Sequence, residues 1–186
     1  MMYTKKMHLI FLILAIFSSC KKESNPETND EEVITTMKLT FVPVGGGTTL
    51  TYQYDDADGP GGNAPIQDVI ALSPSKSYQV SLQLLNKTPN PVADITTEVQ
   101  AESEAHRFYY EPSTGINLTV SQLDNDTNGV PLGVNGTWTA GSASTGTIKV
   151  TLRHYPGTPP GKETADPVNS TKSATDVEVV FNTNIQ

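Results

Sequence analysis

Apolar and polar residues alternate along much of this 186-residue chain, and a period of two most narrows what it can fold into. Side chains at i and i+2 share one face of a strand, so alternation predicts strands with one buried face. Over 78–85, Tyr78, Val80, Leu82 and Leu84 fall on one face, and over 116–123 Ile116, Leu118 and Val120 do the same. The segment 146–154 sets Ile148, Val150 and Leu152 against Lys149, Thr151 and Arg153, and 176–185 groups Val177, Val179 and Phe181. The segments 34–42 and 48–54, split by Gly45, Gly46 and Gly47, read as a hairpin. No stretch carries a helical period. Richness in Thr, Val and Tyr suits a pleated, half-buried surface. The expectation is therefore all-β: an antiparallel β-sandwich, immunoglobulin-like, with about seven to nine strands, a small barrel being the other closure. The Pro- and Gly-rich stretch 156–169 reads as one long loop between two strands, and 33–186 as one domain.

The N-terminus follows a different logic. Lys5 and Lys6 precede an apolar run over 9–17, LIFLILAIF, and then Ser18, Ser19 and Cys20. The run is shorter than the roughly 20 residues that cross a bilayer as a helix. A positive start, a short apolar stretch and small residues together mark 1–19 as a cleaved signal peptide. Cys20 is the single cysteine, so the chain has no internal disulfide. Its position resembles the lipobox of bacterial lipoproteins, with Phe17 where leucine is usual. That resemblance implies cleavage before Cys20 and a palmitate-like lipid anchor on it, and several acyl chains on one residue hold stably. Residues 21–32, KKESNPETNDEE, are polar and net acidic, and 20–32 read as the lipidated cysteine and a disordered acidic linker. Acidic residues soon after such a cysteine resemble surface-export signals of Bacteroidota lipoproteins, so the outer membrane is the expected location, its periplasmic face and the cell surface both remaining open. Removing 1–19 leaves ten basic against twenty acidic residues, a net charge of −10. That balance argues against nucleic acid as a partner.

Neither a nucleophile elbow nor a phosphate-cradling glycine loop is present, and the expectation is a non-enzymatic protein. The residues of chemical interest are donors. If 98–108 is extended, Glu98, Glu102, Glu104 and His106 line one face, and carboxylates beside an imidazole suit a divalent transition metal. The same row also reads as a solvated acidic edge that deters strand pairing. His154 ends a core-facing row at the rim of the sandwich, where it either bonds a loop carbonyl or meets His106. The candidate metal ligands are His106, His154, Glu102 and Glu104, for zinc or copper. Asp124, Asp126 and Asn128, followed by Gly129, match the start of a calcium loop, though position twelve is Asn135 and a turn needs the same residues. Asp56 and Asp58, in a glycine-rich bend, form a second weak calcium candidate.

The segments 56–65, 84–86, 102–109, 124–129, 152–154 and 176–181 resemble a group of small Bacteroidota outer-membrane lipoproteins that carry the label "type 1 periplasmic binding fold superfamily". The label implies two lobes of parallel sheet wrapped by helices, usually about twice this length. The period-two pattern implies the antiparallel sandwich instead. The N-terminus and the donor residues together lead to the expectation of a membrane-anchored, non-enzymatic binding lipoprotein that captures a divalent metal or small ligand for an outer-membrane transporter. The alternative is a structural or accessory lipoprotein acting through protein contacts, which predicts an exposed patch around Phe108, Tyr109 and Tyr110.

Overall fold

A computed structural model of the chain describes residues 32–59 and 61–186. The expected signal peptide, Cys20 and most of the linker lie outside the described residues. Along the chain run β1 (Thr36–Pro43), β2 (Leu50–Asp55), β3 (Ile66–Gln67), β4 (Ile70–Leu72), β5 (Ser77–Asn86) and β6 (Ala93–Asp94). There follow α1 (Ile95–Ala101), β7 (His106–Pro112), β8 (Leu118–Ser121), β9 (Asn135–Ala140), β10 (Ser144–His154) and β11 (Ala174–Ile185).

These strands make the two sheets of a sandwich. One has the order β3-β2-β1-β5-β9-β8, with β6 added to β5, and the other the order β4-β11-β10-β7. Pairing is antiparallel except between β11 and β4. The eleven strands exceed the expected seven to nine because β3, β4 and β6 are only two or three residues long. Gly45, Gly46 and Gly47 all take positive φ, which only glycine adopts without strain, and they turn β1 into β2.

The alternating rows form the core. Met37, Leu39 and Phe41 from β1 and Tyr78, Val80, Leu82 and Leu84 from β5 are buried against Ile148, Val150 and Leu152 from β10 and Val179 and Phe181 from β11. Burying each such side chain contributes about 1.5–3 kcal/mol. Phe41 meets Tyr52, Tyr78 and Trp138 edge-on, with centroids 5.2–5.9 Å apart. This geometry is favoured by the ring quadrupoles.

One segment differs from the sequence expectation. The row 98–106 is not one extended face. Asp94 caps α1, its Oδ1 accepting the Thr96 amide, and Ile95 and Val99 bury one side of a single short helix. Glu98 stands on that helix, Glu102 at its C-cap, Glu104 in the following turn and His106 at the start of β7. The 19 residues between β10 and β11 form the expected long loop, somewhat longer than 156–169, and are pinned by basic side chains. Arg107 donates to the carbonyls of Glu163, Thr164 and Asp166, and Arg153 to those of Ser170 and Ser173.

Candidate metal centre

The register of the smaller sheet builds the site. His106 opens β7, His154 closes β10, and the two are direct partners across the antiparallel ladder. Their rings stack, with centroids 4.7 Å apart and planes 21° apart. On the other side of β10 the register slips between Leu152 and Arg153, which pair with Val177 and Thr175 and leave Asp176 as the extra residue of a bulge. Bulges re-aim side chains at sheet ends. Asp176 Oδ2 lies 3.8 Å from His106 Nε2, and both side chains are only 1% exposed. Glu32, four residues before β1, brings its Oε1 to 3.7 Å from the same nitrogen.

The hydrogen of His106 can be placed by chemistry. Nδ1 lies 3.1 Å from the Glu102 carbonyl oxygen, which can only accept, so Nδ1 donates and Nε2 keeps its lone pair. Nε2 is buried and has no hydrogen-bond partner. Burial, the largest influence, pulls the His106 pKa down to about 4, so the ring is neutral at pH 7. A bare lone pair therefore faces two carboxylates across gaps too long for hydrogen bonds. Glu32 shows the same stress. Burial first, then Asp176, Glu98 and Glu102, raise its pKa to about 7.

Two sets of donors come together, each with atoms within 4.8 Å of one another: His106, His154 and Asp176, and Glu32, Glu102 and His106. Tetrahedral zinc, with bonds of about 2.0–2.1 Å, needs donors about 3.3 Å apart, so the side chains must draw in by roughly 1 Å. Stacked rings keep their in-plane lone pairs in near-parallel planes, so one imidazole must tilt for both to meet one ion. His154 ends its strand and Asp176 sits in a bulge, positions that leave room for such adjustment. A neutral imidazole that donates its other N–H to a carbonyl is the usual form of a metal-bound histidine. Beside the centre opens a cleft of about 630 Å³ whose walls include Glu32, Glu98, Glu102, Glu104 and His154 and no lysine or arginine.

Of the ligands expected from sequence, His106 and His154 are in contact, and Glu102 joins His106 through both its carbonyl and its carboxylate. Glu104 lines the cleft, accepts a hydrogen bond from Thr127 and belongs to neither donor set. Two further donors, Asp176 and Glu32, are not legible in the sequence: the first reads as the edge of an alternating strand and the second as linker. No local signal marks either one.

Three of the five calcium candidates, Asp58, Asp124 and Asp126, are held by internal partners. Asp124 accepts from the amides of Gly133 and Asn135 and from the Asn135 side chain. Asp126 accepts from the Asn128 and Val130 amides, and the ammonium of Lys162 lies 2.8 Å from its Oδ2. Asn128 is exposed and Asp58 binds Asn63, while Asp56 lies half-buried at the start of the bend. The aromatic patch expected of an accessory protein is not on the surface. Phe108 is fully buried, Tyr110 packs on the core and bonds the Gly133 carbonyl, and Tyr109 bonds Tyr155 and the Asp166 carbonyl.

No family model, curated protein or solved structure matches the chain.

Proposed function

We propose that this chain is a lipid-anchored binding protein of the bacterial envelope that captures a divalent transition metal, zinc or copper, through His106, His154 and Asp176, for delivery to an outer-membrane transporter. The observation that carries the metal reading is the buried, unpartnered Nε2 of His106, facing carboxylates with its Nδ1–H anchored on a carbonyl. A proton at Nε2 would relieve that arrangement only at acid pH, given the depressed pKa. A divalent cation relieves it at neutrality. Two imidazoles and a carboxylate fit zinc or copper(II) and not calcium, which prefers an all-oxygen shell. The three-zone N-terminus and Cys20 support the anchor, and no helix among the described residues is long and apolar enough to cross a membrane.

The test is metal analysis and calorimetric titration of the full chain in detergent, native against His106→Ala/His154→Ala. The native chain takes up one zinc or copper ion and the double variant loses it. Equal uptake by the variant, or none by the native chain, removes the metal reading.

A further inference from the structure

Glu32 is the one donor of the centre that comes from outside the sandwich's strands and helix turn. It belongs to the arm 32–35, which leads into β1. The arm is fixed at its far end. The Thr35 amide donates to the Leu85 carbonyl, its carbonyl accepts the Asp56 amide, and its hydroxyl accepts the Lys87 amide. Ile34 packs against the core, whereas Val33 is 55% exposed. Among the described residues of the arm beyond Thr35, the polar side chain is that of Glu32.

The setting of Glu32 is poor without a cation. The Glu32 side chain is 16% exposed, and its Oε2 is buried without a hydrogen-bond partner. Its neighbours at the centre are the lone pair of His106 and the carboxylates of Asp176, Glu98 and Glu102. Among the described residues, the cleft walls hold no lysine or arginine. The Glu32 carboxylate and these four acceptor groups repel at close range in a poorly solvated site. A divalent ion at His106, His154 and Asp176 reverses the sign of every one of these contacts, and Glu32 Oε1 is already 3.7 Å from the shared nitrogen.

Building on the metal reading above, we infer that Glu32 supplies the fourth ligand, so that the metal staples the arm 32–35 to the rim of the smaller sheet. Three protein ligands from β7, β10 and β11 hold the ion, and the fourth ties down the chain where it enters the domain. Metal occupancy then sets how firmly the domain is held to its N-terminal side.

Hydrogen exchange of the full chain in detergent, with and without zinc, tests this on the native protein, Glu32→Gln and Glu104→Gln, with zinc affinity measured in parallel. In the native chain and in Glu104→Gln, zinc slows exchange in the peptide 32–36 by at least about tenfold. In Glu32→Gln, zinc binds about 10- to 100-fold more weakly and leaves that peptide's exchange unchanged at saturation. Native affinity in Glu32→Gln, or His106-dependent zinc binding with no slowing of 32–36 in the native chain, overturns the staple while the metal centre stands. Failure of the native chain to bind zinc removes both.

Discussion

Two buried acidic sites lie on either side of the first residue of β7, and they are completed in opposite ways. On one side, Asp126 meets Lys162, whose ammonium also donates to the carbonyls of Ser103, His106 and Pro131. Both side chains are 1% exposed. Burial alone would raise Asp126, yet the bonds from Lys162 and the Val130 amide hold it below the ordinary carboxylate range. On the other side, Asp176 and Glu32 meet the bare nitrogen of His106, and Glu32 is driven up to about 7. The first site carries its own cation on the chain. The second gathers the same kind of oxygen donors around imidazole and has no lysine or arginine in its cleft walls. The contrast separates two surroundings for a buried carboxylate: Asp126 faces an internal ammonium, whereas Glu32 faces an imidazole nitrogen and further carboxylates.

Breaking the closed site gives the largest expected effect. Lys162→Met strands Asp126 as an uncompensated buried charge, a loss of about 3–5 kcal/mol in urea unfolding, and Asp126→Asn in the same chain restores much of it. A loss near zero would mean that Lys162 is not the internal cation of that site. Next, His106→Ala should weaken zinc binding by at least about 100-fold, since even outer partners of a metal ligand are worth 10- to 100-fold. If affinity survives in a folded variant, the imidazole half of the comparison fails.

A pH series on metal-free protein sharpens the same contrast. His106 drops from 6.5 to about 4 on folding. The folded ring binds fewer protons than the unfolded one, so its contribution to stability is lost as pH falls through that window. Glu32 rises from 4.5 to about 7, so its contribution is complete below 4.5 and is lost as pH rises through 7. The two slopes oppose each other between these windows. Glu32→Gln removes one of them, so its urea midpoint should fall more steeply than the native one as pH is lowered from 6.5 to 4.5. The separation is on the order of 1 kcal/mol per unit of pH. Parallel curves would show that Glu32 takes up no proton on folding, against its raised pKa. The smallest effect belongs to an exposed cation. Lys149, paired with Glu111 at 3.1 Å and Glu178 at 3.4 Å on the sheet surface, should lose less than about 1 kcal/mol on change to alanine. A loss like that of Lys162 would undo the argument that burial sets the difference.

Much of the sandwich was legible because its signal is local. In β5 and β11 the residues read as one face are those packed inside, and in β10 Ile148, Val150 and Leu152 are fully buried. The misreading of 98–106 has an equally local cause. Four donors at near-even spacing resemble one strand face, but Asp94 is a helix cap and Ile95 and Val99 are one turn apart. Those two signals were available and were outweighed by the charge pattern. β9 also went unread, although Trp138 in it anchors the aromatic cluster, because 135–140 carries Gly136 and threonines between its apolar residues.

The sequence by itself determined the all-β sandwich, the acidic balance and the choice of His106 and His154 as residues worth watching. Periodicity, composition and residue type are properties of short stretches, and short stretches carry them without a fold. The centre is not of that kind. Its donors come from residues 32, 102, 106, 154 and 176, and they meet because β7 and β10 pair in one register, a bulge displaces Asp176, and the N-terminal arm passes the same rim. Only the tertiary structure decided that Asp126 would be closed by a lysine while Asp176 would face an imidazole. Electrostatic partners are chosen by distance in space, and distance along the chain holds no record of it.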